Sequence, residues 1–284
     1  MNRIPYFGIP AAGLFLSALM ILAVFPACKK KSSSSDLGPN VNVADDIVFT
    51  ERGLFHTFNL LLKANLDSGI MHTGAGTIDK AVVTYNNSSR LFSFYYQNKY
   101  CADSVLRNGN IVITLTGDFF TTGTGVSVDF QDYSEDSRRF IGSDNLINTN
   151  LALGGNGGYV STIVNLNIVK DSVHSTQWNS SLSYHIPVEI DKNADSLAPF
   201  TITGTANGRS SSTYAFSSEI STPLLNDIYC PWIRQGIIQL SIPSADVATG
   251  TIEYVNEDNC NNRVTYNFEG NVFKWWINKK KLGY

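Results

Sequence analysis

The densest run of ionisable side chains is "DFQDYSED" at 129–136, which brings Asp129, Asp132, Glu135 and Asp136 into one short stretch. A calcium loop needs oxygen ligands alternating around a central glycine, and that spacing is not met. The run reads instead as the solvated end of a hairpin. Glycoside hydrolysis needs two carboxyl groups held at a fixed separation across a cleft. Asp129 and Glu253 sit on comparable strands, but nothing in the sequence selects them as a pair. The four histidines, His56, His72, His174 and His185, have no metal-ligand spacing. His185 and Glu189 share the outward face of one strand, as a polar surface ladder does. No Gly-x-Ser-x-Gly, phosphate-binding Gly-Lys loop or His-Glu-x-x-His motif occurs, and "GGNGG" (154–158) and "TGTG" (122–125) precede no helix, so they read as turns. The sequence therefore implies no catalytic residue, no metal and no cofactor.

Aromatic side chains are the remaining candidates for binding, because flat ring faces stack on the apolar faces of sugars and other planar ligands. Trp178, Trp232 and Trp276 are the candidate platform, with Tyr95, Tyr96 and Tyr100 nearby in the chain. Adjacent Trp275 and Trp276 point to opposite faces of a strand, so one belongs to the core and the other to the exposed side. Against this stands the ordinary fate of aromatics in all-β proteins, which is the core.

These residues need elements to position them. One helix is expected over 44–67, where Phe55, Phe58, Leu62 and Leu66 recur at steps of three and four. His56 falls beside that stripe and reads as a helix-surface histidine. From about Thr77 the period is two. Phe92, Phe94 and Tyr96 share a face, as do Ile111, Ile113 and Leu115, then Val126, Val128 and Phe130, then Val160, Thr162, Val164, Leu166 and Ile168. Leu182, Tyr184 and Ile186 follow, then Ile238, Leu240 and Ile242, then Val264, Tyr266 and Phe268, and finally Phe273, Trp275 and Ile277. Turn residues such as "NGN" (108–110) and "EGN" (269–271) separate the runs. The expected fold is all-β, an antiparallel meander of ten or more strands forming a sandwich or partly closed barrel, with one N-terminal helix.

The first residues carry only Arg3 ahead of an uncharged apolar run to Ala27, the layout of a secretory signal peptide. Removing 1–27 leaves 20 of the 21 Lys+Arg against all 24 Asp+Glu. No basic patch stands out beyond "KKK" at 29–31 and 279–281, which argues against nucleic acid as a partner. "VFPAC" at 24–28 resembles the lipobox of bacterial lipoproteins, in the looser form of Bacteroidota-type bacteria. That resemblance implies diacylation of Cys28, which becomes the mature N-terminus, and a membrane partner reached through the diacylglyceryl anchor. Lys29 is not the Asp that commonly retains such proteins at the inner membrane, so the resemblance implies the outer membrane, on its periplasmic or cell-surface face. Residues 28–43, Ser-rich and with Gly38-Pro39, read as a tether, and 44–284 as the β-rich domain.

Two stretches repeat a pattern: "YCADSVLRNGNIVITL" (100–115) and "YCPWIRQGIIQLS" (229–241), each with Tyr-Cys and then Arg-x-Gly opening a strand. They divide the domain into similar halves over about 77–170 and 180–278. With "TLTG" (114–117) and the hairpin "TIEYVNEDNCNNRVTYNFEG" (251–270), they resemble a family of uncharacterised Bacteroidota lipoproteins, a likeness that implies no activity. The strand at 236–242 and its return at 251–255 bring the turn at 257–262 beside 230–235. Cys230 and Cys260 are therefore expected to form a disulfide in an oxidising compartment. Cys101 is left as a buried free thiol or a rival partner. "DSV" (103–105), "DSV" (171–173) and "DSL" (195–197) resemble the O-glycosylation acceptor of exported Bacteroidota proteins, which implies sugar on Ser104, Ser172 and Ser196. The functional expectation is a lipid-anchored, non-catalytic module that binds or scaffolds a glycan or an envelope protein, with carbohydrate binding as the narrower alternative and a hydrolase as the more distant one.

Overall fold

The computed structural model describes residues 39–149, 157–186, 200–226, 228–243, 249–254, 260 and 262–277. The signal segment, Cys28, most of the tether and Ser196 lie outside the described residues. Helix α1 (Pro39–Leu66) is followed by the short α2 (Ser68–Thr73), which Asp67 caps by accepting the Ile70 N–H. The strands are β1 (Ala75–Ile78), β2 (Ala81–Asn86), β3 (Leu91–Tyr100), β4 (Leu106–Leu115) and β5 (Gly125–Glu135). Next come β6 (Arg138–Ile141), β7 (Ser143–Asn148), β8 (Gly157–Val169), β9 (Ser175–Ile186) and β10 (Phe200–Arg209). The last are β11 (Ala215–Asn226), β12 (Gln235–Ser241), β13 (Gly250–Tyr254), β14 (Arg263–Phe268) and β15 (Asn271–Trp276). All fifteen belong to one antiparallel sheet in chain order, except that β6 and β7 share the place between β5 and β8. Among the described residues no ladder joins β1 to β15. The all-β meander with an N-terminal helix is the observed fold.

Helix α1 differs from the expected one-sided stripe. From Val41 to Leu62 nearly every residue is buried, polar ones included. A helix covered on all sides needs neighbours on all sides, and the sheet supplies them by curling. Phe58 stacks on Tyr184 of β9 with ring centroids 4.1 Å apart and meets Tyr159 of β8 edge-on. Phe55 stacks on Phe200 of β10, Phe49 on Phe140 of β6, and His56 bonds Tyr96 of β3 at 3.0 Å. His56 is thus a buried histidine rather than a surface one. Thr50 and Thr57 satisfy their hydroxyls within the helix by donating to the carbonyls of Asp46 and Gly53.

The inward rows follow the expected alternation where strands are regular and depart from it at bulges. On β8 the buried row is Tyr159, Ser161 and Ile163, then Leu166 and Ile168. Val164 is exposed and Asn165 has φ 58°, at the point where pairing with β9 shifts register. The extra residue exchanges the two faces, so the row Val160–Thr162–Val164 faces out instead of in.

Cys230 and Cys260 form a disulfide with 30 residues between them in sequence number, and Cys101 is a buried free cysteine. Replacing both bridged cysteines by serine is expected to lower the unfolding free energy by about 3–4 kcal/mol. Chemical denaturation of the oxidised parent and the double variant measures this, and coincident midpoints would refute it.

Candidate functional site

The first repeat builds the main polar cluster of the interior. Gly109 on β4 has φ 93°, and a Cβ there would meet the Asp132 carbonyl oxygen at 2.2 Å. It sits opposite one extra residue in β3, between Tyr96 and Lys99, and another in β5, near Asp132. The β5 bulge changes which residues face inward: Val126, Val128 and Phe130 are followed by Tyr133 and Glu135. Glu135 therefore lies directly across from Arg107, inside the protein. The expected solvated hairpin end holds for Asp129 and Asp132, which are exposed, and fails for Glu135, which is fully buried.

Arg107 is held from two sides. Its Nε donates to Glu135 Oε1 at 2.9 Å, and its Nη1 and Nη2 donate to the two Asp103 oxygens at 2.7 and 2.5 Å. Glu135 also accepts from Tyr133 Oη at 2.6 Å and from Arg52 Nη2 of α1 at 2.5 Å. Asp79, in the β1–β2 turn, accepts the Ala102 N–H through Oδ1, while its Oδ2 lies 3.7 Å from Arg107 Nη1 and 3.8 Å from His56 Nδ1. The Cys101 thiol donates to the Asp79 carbonyl. Burial is the largest single effect on Glu135 and Asp103 and works against their charge, but Arg107 together with Arg52 and the hydrogen bonds they receive outweighs it, and both pKa values are lowered. Burial, followed by the Arg107 charge, holds His56 well below its ordinary value, and burial pushes the Cys101 thiol up to about 12. A neutral imidazole beside a protonated thiol is not an activated nucleophile. The cluster is a closed ionic clasp joining α1, β4, β5 and the β3–β4 connection.

Two further buried carboxyl groups lie inside. Burial pushes Glu51 of α1 up to about 8, and its charge would act on Tyr184 and Tyr254. Burial pushes Asp144 of β7 up to about 6, although Ser161 Oγ donates to it at 2.7 Å. The earlier candidates Asp129 and Glu253 stand on outward rows of β5 and β13. Among the described residues no group of three or more His, Cys, Asp or Glu side chains is arranged to hold a metal.

The second repeat opens β12 in the same way. Gly236 has φ 132°, a Cβ there would meet the Leu224 Cα at 2.8 Å, and β11 shifts register on either side of it. Val105 of the first repeat packs with Cys230 and Trp232 of the second, and Ile277 lies against the three. Tyr100 (55 % exposed), Tyr229 (60 %) and Trp276 (38 %), which precede Cys101, Cys230 and Ile277 in the chain, are exposed. Of the expected platform, Trp178 is fully buried against Phe216, Trp232 is buried in that cluster, and Trp276 alone offers a face to solvent, with Arg263 over its ring at 5.3 Å. Trp275 is buried and Trp276 exposed, as adjacent strand residues require.

The two described Asp-Ser-Val triplets share one turn. Asp103 and Asp171 each accept the backbone N–H of the residue two positions on, Val105 and Val173. Ser104 is half-buried at φ 62°, whereas Ser172 is exposed in the β8–β9 connection. No family model, curated protein or solved structure matches the chain.

Arg107→Met leaves Asp103 buried without the guanidinium that grips both its oxygens and Glu135 with Arg52 as its remaining cation, and is expected to cost about 3–5 kcal/mol at neutral pH. In the parent, both acids are more acidic when folded, so their contribution is present above the ordinary carboxylate pKa and is lost as pH falls through the folded values. In the variant the buried acids, Asp103 above all, lose the Arg107 charge and move towards protonation, so mild acid should narrow the deficit; denaturation midpoints against pH read it, and a constant deficit contradicts the clasp. Glu51 has the opposite sign: the folded protein keeps a proton that the unfolded chain releases, so stability falls as pH rises from about 4.5 to about 8. Glu51→Gln is expected to stabilise by about 3 kcal/mol at pH 7 and not at pH 4, and an equal effect at both would show that Glu51 is not held protonated.

Proposed function

We propose that this chain is a lipid-anchored lipoprotein of a bacterial outer membrane whose β body binds or scaffolds rather than catalyses. The observation that carries the reading is the junction "VFPACKKKSSSSD": an apolar export segment, a small residue before Cys28, and then a polar spacer leading to the folded body. The Cys230–Cys260 disulfide supports an exported location, because such bridges persist in oxidising compartments. The closed state of the ionic clasp supports a non-catalytic role, since its acids, imidazole and thiol are paired and shielded from substrate. Lys29, where inner-membrane retention would want Asp, favours the outer membrane, on a face that the anchor alone does not distinguish. Of the two described serines of these triplets, exposed Ser172 is better placed to carry sugar than half-buried Ser104.

The expected outcome of palmitate labelling and mass spectrometry in the native host is a mature chain that starts at Cys28 and carries diacylglycerol on its sulfur. Cys28→Ala should stay uncleaved and unlabelled. Membrane-associated protein with a free thiol at 28, or a mature chain starting elsewhere, overturns the proposal.

A further inference from the structure

Buried polar atoms without a partner are unevenly spread over this fold. No buried side-chain nitrogen or oxygen of the described β1–β7 lacks one. There the clasp, the Ser161–Asp144 bond and the Asn148–Tyr159 bond supply partners. On α1 and the later strands unpaired atoms recur. Arg52 reaches Glu135 through Nη2, while its Nε and Nη1 have no partner although the residue is 1 % exposed. Phe49 covers one face of that guanidinium, so the unpaired hydrogens lie at its edge. Tyr254 of β13 is buried on the inward row with its Oη unpartnered. Trp275 of β15 lies on the same row, with Val264 between them, and its Nε1 is also unpaired.

Glu51 and Arg52, neighbours on α1, are the two charged groups that act on the Tyr254 hydroxyl, so this turn of the helix and β13 face each other across the interior. The Glu51 carboxyl is buried there and accepts no hydrogen bond among the described residues. A buried N–H or O–H left without an acceptor costs about 1–3 kcal/mol. Arg52 offers donors alone, and a water placed against it would bring two further hydrogens that need acceptors. An anion only accepts. The surrounding charges allow one. Arg52 and Arg107 face two ionised acids, Glu135 and Asp103. Lys63 adds a third cation whose charge reaches His56 and Asp79, and burial disfavours the charge of Asp79.

We propose that Arg52 and Tyr254, with Glu51 beside them, form a buried site for one small monovalent anion of chloride size. Close packing around the helix limits the guest to a single atom or little more, and the guanidinium and hydroxyl hydrogens bond it. Glu51 gates the site. Protonated, it is a neutral donor; ionised, it is a negative charge that excludes a second one. The groups around it are Arg52 on its own helix, Tyr184 of β9 and Tyr254 of β13, with Asp144 of β7 also acting on Tyr184. Of these, Glu51 alone titrates near pH 8. The inference stands apart from the lipid anchor and from the binding-module reading.

The test uses the full-length chain in detergent, with sodium bromide exchanged for sodium gluconate at constant ionic strength. The thermal midpoint is expected to rise with bromide, as it does for any ligand that binds the folded state. Crystals grown in bromide should show an anomalous peak within hydrogen-bonding reach of Arg52 and of Tyr254 Oη. Tyr254→Phe keeps the ring and should weaken bromide binding by about tenfold. In the parent, affinity should fall by about tenfold for each pH unit above about 8, and in Glu51→Gln it should stay level. If Tyr254→Phe does not fold, the peak and the Glu51→Gln comparison still decide. Midpoints that follow ionic strength alone overturn the inference, as does a water at Arg52 in place of bromide. The same pH profile in the parent and Glu51→Gln overturns the gate.

Discussion

Arg107 keeps its charge inside the protein because Glu135 and Asp103 flank it, and this constraint governs the way the sheet closes on helix α1. A buried guanidinium without partners would cost several kcal/mol, so β4, β5 and the β3–β4 connection have one arrangement that satisfies it. Arg52 extends the same requirement to the helix through the second Glu135 oxygen. Replacing such a network with apolar side chains of equal volume is often neutral for stability. Its contribution is better sought in specificity: with the His56–Tyr96 bond and the Arg138 pairs to Asp45 and Asp46, it ties one turn of a helix buried on all sides to one register of the sheet.

The regular parts of this architecture could be read directly. Runs such as Phe92–Phe94–Tyr96 and Ile111–Ile113–Leu115 alternate strictly, and both rows face the core. The clasp could not be read, because alternation identifies faces only while the count of residues is unbroken. One extra residue near Asp132 moved Glu135 from the solvent side to the core, and another near Asn165 turned Val164 outward. Gly109 was the signal, visible as half of the repeated Arg-x-Gly but not interpretable without the neighbouring strands that bulge against it. His56 was misjudged for a related reason. A stripe of Phe55, Phe58 and Leu62 assigns one face of a helix to the core, and it does not reveal that the remaining faces are covered as well.

The repeat links architecture to surface chemistry. Its glycines admit the bulges, its cysteines are buried, and its tyrosines are left outside. A residue kept for packing alone would be expected on the inner row, where Tyr96, Tyr133 and Tyr184 already serve. Tyr100 and Tyr229 are not on that row. Ile277, just after β15, reaches the contact between the repeats from an unrelated strand. Of the three candidate tryptophans, Trp178 and Trp232 are buried and Trp276 keeps an exposed face.

The two repeats differ in how each connection is pinned. In the second, a disulfide to Cys260 holds Cys230, and Pro231-Trp232 follow where the first repeat has Ala102-Asp103. In the first, Cys101 stays a thiol, and the connection is held by Asp103 on Arg107 and by Asp79 on the Ala102 N–H. A covalent bond and an ionic clasp thus occupy equivalent places in two halves of one sheet. The covalent bond is insensitive to pH and yields to reductant; the clasp is insensitive to reductant and weakens as its acids protonate. Because Val105 of the clasped connection packs on Cys230 of the bridged one, neither can loosen without removing a wall from the other.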